Sequence, residues 1–94
     1  LDGALHDRDP AVRLAAASLV PDPAPDAARA PLAAAVIDDA DRDVALGAAQ
    51  ALCASPSSDV IAALGSRGVA RIRELAGDRT DAVARDARRC LRPR

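Results

Sequence analysis

The sequence predicts an all-α fold, with antiparallel helix hairpins stacked as an α-solenoid, and three observations predict it. One phrase occurs three times, over Leu5–Leu19, Ile37–Leu52 and Leu75–Leu91. Each copy reads as the end of one helix, an Asp-rich turn, and a Val-led, Ala-rich helix. The anchor valines are Val12, Val44 and Val83, spaced 32 and 39 residues apart, a period typical of stacked helix-turn-helix units. Within each copy the apolar residues recur at helical rather than alternating spacing.

Each element has a local justification. Asp9 is a favourable N-cap and Pro10 a favourable first helical residue. The helix they start places Val12, Ala15, Ala16 and Leu19 on one stripe, predicted to be buried. Pro21, Pro23 and Pro25 end it and stiffen the linker. The next helix is expected to run to about Ile37 with Leu32, Ala35 and Val36 on its face. Pro31 requires that it begin near Ala30 or be kinked there. After the turn at residues 38–41, the second Val-led helix carries Val44, Ala48, Ala51 and Leu52. Gly47 costs this helix about 1 kcal/mol relative to Ala, and the expected return is close approach of a neighbour. Residues 55–58 break the chain, and Ser58 is the predicted cap of a helix bearing Val60, Ile61 and Leu64. Gly65 and Gly68 interrupt it before Val69, Ile72 and Leu75. Thr80 or Asp81 starts the last helix, with Val83, Ala87, Cys90 and Leu91 expected inside.

The first copy has the form Leu-x-Asp-x-Asp-Pro-x-Val-Arg-x-x-Ala-Ala over residues 5–17. It resembles a HEAT repeat, in particular the short bacterial HEAT-like kind. Leu5, Asp7, Asp9, Pro10, Val12, Arg13, Ala16 and Ala17 carry the likeness. The second copy keeps Ile37, Asp39, Asp41, Val44, Ala48 and Ala49 but has Arg42 for the proline and Ala45 for the arginine. The third keeps Asp81, Val83 and Ala87, has an extra turn residue and puts its arginine at Arg85. The resemblance implies about two and a half repeats in one domain over residues 1–94: a partial repeat over 1–20, a full one over 24–54 and a terminal one over 58–92. It also implies a right-handed superhelix in which a turn Asp and a helix Arg bond between neighbouring repeats. Only the first copy could supply the full pair at the matching positions.

Composition sets bounds on this architecture. The 94 residues contain no Phe, Tyr, Trp or Met, so the core is expected to be Leu, Val, Ile and Ala. Such side chains let helices approach closely but each buries little area, and a chain this short is expected to be marginal alone. It begins at Leu1 with no methionine, so it is expected to be processed or a piece of a longer protein, the C-terminal segment of an array. All 13 basic residues are Arg, and 13 of 14 acidic residues are Asp, a bias that points to a GC-rich genome rather than to a function. Net charge is −1 overall but −5 over residues 1–47 and +4 over residues 48–94. The longest apolar run, residues 32–37, is far shorter than the roughly 18 residues a membrane span needs.

The motifs that would carry chemistry are incomplete. Asp39-x-Asp41-x-Asp43 opens like an EF-hand loop, but the required Gly and bidentate Glu positions hold Val44 and Gln50. Helix capping accounts for these aspartates without a ligand. His6 lies near Asp7 and Asp9 with no second His or nearby Cys, so no metal site is expected. Ser18, Ser55, Ser57 and Ser58 lack a nucleophile elbow, and residues 65–68 lack the Lys-Ser/Thr ending of a phosphate loop. No cofactor and no catalytic residue are therefore expected.

Two features remain. Cys53 and Cys90 lie near the ends of Val-led helices in consecutive copies. Stacking brings such ends together, and a bridge would support an aromatic-free core. Against this, buried free Cys is a common small apolar residue, and Cys53 is nine residues past Val44 and so points away from it. Both readings stand: free thiols suit a cytoplasmic protein, a bridge a periplasmic or extracellular one. Arg67, Arg71, Arg85, Arg88, Arg89, Arg92 and Arg94 are candidates for an anion-facing surface. DNA-binding relatives of this fold lean on aromatic stacking, absent here, and terminal arginines also suit a helix dipole. The expected function is a non-catalytic protein-interaction or scaffold module at the end of a helical array, its partner being another protein or the rest of its own chain. The alternatives are a regulatory or chaperone-like subunit of an enzyme, or a nucleic-acid binder using the Arg-rich half.

Overall fold

Three Asp-capped turns organise the computed structural model, which describes residues 2–91. Among these residues the elements are α1 (Asp2–Leu5), α2 (Pro10–Ser18), α3 (Asp26–Asp38), α4 (Arg42–Cys53), α5 (Ser58–Ala76), α6 (Ala82–Ala87) and a 3-10 helix, Arg88–Leu91. The described chain is thus all-α. The helices pair in sequence order, α1 with α2, α3 with α4 and α5 with α6. Helix α4 also packs between α2 and α6, while α3 packs against α1 and α5.

The caps follow directly from the repeated phrase. The Asp9 carboxylate accepts from the Ala11 amide at 2.9 Å, and that of Asp41 from Asp43 and Val44 at 2.9 and 3.1 Å. Asp81 accepts from the Ala84 amide at 3.3 Å. Each satisfies a donor that the first helical turn leaves free. Helix α5 is capped by Ser57, whose hydroxyl accepts from Val60 at 3.2 Å. The expected cap, Ser58, is instead the first helical residue.

Two helices are shaped by special residues, α3 with a start earlier than expected and α5 with the expected interruption at Gly65. Helix α3 starts at Asp26, ahead of Pro31, rather than near Ala30, and continues through the proline to Asp38. The missing Pro31 N–H removes a single bond of the helical ladder, while Ala28, Leu32, Ala33 and Val36 on the same helix are buried. Helix α5 is divided at Gly65, whose φ of 64° and ψ of −176° are accessible essentially only to Gly. The bend lets Val60 and Leu64 before it, and Ile72 and Leu75 after it, all enter the core.

Helix α4 is the centre of the core: Val44, Ala45, Leu46, Gly47, Ala48, Ala49, Leu52 and Cys53 are all buried. Gly47 permits close approach, because a Cβ there would lie 2.7 Å from Leu14 Cδ1 of α2. At the edge of the fold the predicted stripe fails. On α2, Ala16 and Ala17 are buried, but Ala15 is exposed and Val12 is 39% exposed, and Leu19, the C-cap of α2, is 82% exposed. Helix α2 packs against α4 on one side, with no described helix on the other. The last helix is also rotated relative to expectation: Ala84, Ala87 and Cys90 are buried, while Val83 and Leu91 are half-buried.

Val44 is 1% exposed, so Val44→Asp introduces an unpaired charge into an apolar interior. The expected cost is more than about 4 kcal/mol, enough to unfold a domain of this size. Loss of the helical circular dichroism signal checks this, and a mutant with wild-type helicity contradicts the burial of that face.

Candidate functional site

The densest polar constellation surrounds the turn between α3 and α4. Arg13 of α2 donates from Nε to Asp39 Oδ2 at 2.9 Å and from Nη2 to Oδ1 at 3.2 Å. This is the bidentate geometry that guanidinium and carboxylate planes favour. Its Nη1 also donates to the carbonyls of Asp7 and Arg8 at 2.8 and 3.1 Å. Asp39 Oδ1 in turn accepts from the Asp41 amide at 2.9 Å, which holds the capping residue of α4. From the other side, Arg71 of α5 donates to the carbonyls of Ile37 and Asp39 at 2.8 and 3.0 Å. These carbonyls lie at the C-terminal end of α3 and would otherwise lack partners. The Asp39 hydrogen bond raises the Arg13 pKa above the ordinary arginine value, the Asp39 charge acting in the same direction against desolvation.

Beside this clamp lies a cleft of about 330 Å³ whose walls include Leu5, His6, Asp7, Pro31 and Asp38. Its central charged pair, Arg13 and Asp39, is already engaged within the fold. A second groove, of about 200 Å³, runs across α2 and α4 toward α6. Ala17, Val20, Gly47, Ala51 and Ala54 give it a floor of small apolar residues, Ser18 and Gln50 add polar groups, and Asp22 and Asp86 give it an acidic rim. Asp22 accepts from the Ser55 hydroxyl at 2.5 Å, and Asp86 from Gln50 Nε2 at 3.3 Å. Among the described residues, no three His, Cys, Asp or Glu side chains gather so as to hold a metal ion.

The two cysteines are joined, with sulfurs 2.03 Å apart and 37 residues of separation. The bridge ties the 3-10 helix to the end of α4, where Arg89 also donates to the Ala54 carbonyl at 2.9 Å. Cys53 does face away from Val44 around the helix, but α4 is enclosed on both sides, so both faces belong to the core.

Most of the candidate anion-facing arginines are engaged by the fold. Arg71 and Arg89 bond main-chain carbonyls as described. Arg88 donates to the Gly77 carbonyl at 3.4 Å, and Arg67 pairs with Asp38 at 3.7 Å. Arg85 is exposed; Arg92 and Arg94 lie outside the described residues. The Arg13–Asp39–Arg71 clamp was only partly foreseen. A pairing between neighbouring copies was implied by the resemblance, whereas Arg71 lies outside the repeated phrase and was read as anion-facing rather than as a partner of the α3 carbonyls. Compared with known protein families, curated proteins and solved structures, the chain matches none.

At the last turn, Arg79 hydrogen-bonds Asp81 and lowers its pKa below the ordinary aspartate value, the Ala84 amide adding to the effect against desolvation. A depressed folded pKa contributes stability above the unfolded aspartate value and loses it as pH falls through the folded one. Asp81→Asn retains a capping oxygen but removes this linkage. It should flatten the acid limb of stability measured by urea midpoint from about pH 7 to about pH 2; an unchanged acid limb refutes the assignment. The bridge gives a second expectation. Closing a 37-residue separation contributes about 4 kcal/mol in the chain-entropy treatment. Thiol titration of the unreduced, denatured protein should detect no free thiol, and reduction should lower the urea midpoint. Two titratable thiols contradict the bridge.

Proposed function

We propose that the chain is a non-catalytic interaction module, part of a HEAT-like helical array, and that it engages a protein partner across α2, α4 and α6. The observation that carries this reading is the groove over these helices. At about 200 Å³ it is smaller than the roughly 300–1,000 Å³ of typical small-molecule pockets. It is instead the size of a single protruding side chain, with a floor of small residues and acidic groups at its rim. The two-sided packing of α4 between α2 and α6 supports the array reading, as does the Arg13–Asp39 pair between successive hairpins. The bridged cysteines favour an oxidising compartment for the working protein. The arginines engaged on the protein's own carbonyls favour a protein partner over a nucleic acid.

A photo-crosslinking residue placed at Ala54, beside the groove, should capture a discrete protein species in the source cells, whereas the same residue at exposed Ala63 of α5 should not. A duplex DNA added at low salt should give no shift. Equal capture from both positions, or a salt-dependent DNA shift, overturns this reading.

A further inference from the structure

The exposed side of α2 repeats the side of α4 that α2 itself covers. Aligned on their capping residues Asp9 and Asp41, Val12 corresponds to Val44, Ala15 to Gly47 and Leu19 to Ala51. On α4 this stripe lies toward α2: Leu14 rests over Gly47, and Ala51 lines a common groove with Ala17 and Val20. On α2 the corresponding residues face no described helix, with Val12 39% exposed and Val44 only 1%. The spacing of i, i+3 and i+7 is that of a helix-packing face. The adjoining turn is duplicated as well. Asp7 accepts from the Asp9 amide at 2.9 Å just as Asp39 accepts from the Asp41 amide at 2.9 Å. Asp39 receives a guanidinium from the helix stacked beside it. Asp7 is exposed, and among the described residues no arginine side chain bonds its carboxylate.

We infer that the outer face of α2 receives one further helical hairpin, whose second helix presents an Arg-Leu pair in the register of Arg13-Leu14. The Leu packs against Ala15 between Val12 and Leu19, with its tip turned aside relative to Leu14 over Gly47, because the Ala15 Cβ fills the space that Gly47 leaves open. The Arg forms the bidentate pair with Asp7. Charge favours this occupant, because residues 1–47 carry a net −5 and the incoming contact is cationic. A second copy of the chain is less suitable. Its own α6 and the 3-10 helix after it carry Arg85, Asp86 and Arg89 on their exposed or half-exposed surface and offer no apolar stripe to Leu19. The inference rests on the array reading proposed above.

The test is a chain in which residues 2–33 are duplicated in tandem, which preserves the 32-residue period between Val12 and Val44. The added unit then supplies its own Arg13 and Leu14 to the internal copy of α2. The lengthened chain should remain monomeric and unfold at a higher urea midpoint than the 94-residue chain. Val12→Asp should leave the midpoint of the 94-residue chain nearly unchanged and lower it sharply when placed in the internal copy. A lengthened chain that is unfolded, gains no midpoint, or tolerates the internal Val12→Asp overturns the inference. So does a 94-residue chain that sediments as a dimer and is made monomeric by Val12→Asp, since the occupant is then a second copy. Failure of the underlying array reading is distinguishable. A double-mutant cycle on Arg13 and Asp39 in the 94-residue chain would then show no coupling, whereas failure of the docking inference alone leaves that coupling intact.

Discussion

The turn at residues 37–41 is the constraint on which the remaining structure depends. Helix α3 ends there without a glycine cap, and α4 begins three residues after Asp39. Arg71 supplies donors to the exposed carbonyls of Ile37 and Asp39, and Arg13 occupies the Asp39 carboxylate. Asp39 passes the constraint to the Asp41 amide, and Asp41 caps α4. One five-residue turn is therefore tied to the hairpin before it and to the helix after it. This matters because the core is made of small aliphatic side chains. Alanine-rich faces permit close helix approach but define the rotation and axial position of a helix weakly. Directional bonds at the turn provide the register that packing alone leaves soft.

The abundance of arginine takes on a physical role in this light. A guanidinium presents several donors in a fixed plane, and here several of these planes satisfy main-chain oxygens. Arg13, Arg71, Arg88 and Arg89 all bond carbonyls at helix ends or turns. A lysine would supply a point charge without the fork that lets Arg13 hold the Asp39 carboxylate and two carbonyls together. The acidic first half and basic second half are likewise joined across the fold, as in the pairing of Arg71 with the turn that carries Asp39 and of Arg67 with Asp38.

What was legible in the sequence was local, and what was not depended on neighbours. The capping aspartates, the proline start of α2 and the glycine break in α5 were readable because each acts on its own backbone. Of the stripe of Val12, Ala15, Ala16 and Leu19, predicted to be buried, only Ala16 is; the others are exposed because α2 is at the edge of the packed helices. Periodicity reports what a helix can bury and is silent on whether a partner is present. The orientation of Cys53 misled for a related reason. A helical wheel separates buried from exposed faces only on a helix with one packed side, and α4 is packed on both. The groove across α2, α4 and α6 could not be read at all, since Ala54 and Asp22 come together only through tertiary packing.

The unequal copies acquire a reason when their two junctions are compared. Between the first and second hairpins the junction is electrostatic, Arg13 to Asp39. Aligned on the caps Asp41 and Asp81, the second and third copies have Ala45 where Arg13 would stand and Arg79 where Asp39 would stand. Both members of the pair are replaced, so neither is left as an unpaired charge against the next helix, which would cost more than the pair contributes. The second junction is held instead by the Cys53–Cys90 bridge, by Gln50 to Asp86 and by Arg89 to the Ala54 carbonyl. The pair lies at the turn end of α4 and the bridge at its opposite end, so the two junctions fasten the central helix at both ends. A covalent tie is suited to the third hairpin, since α6 is only six residues long and too short to form a stable helix by itself. Divergence from the first copy therefore exchanges one means of registering neighbouring helices for another while keeping α4 enclosed.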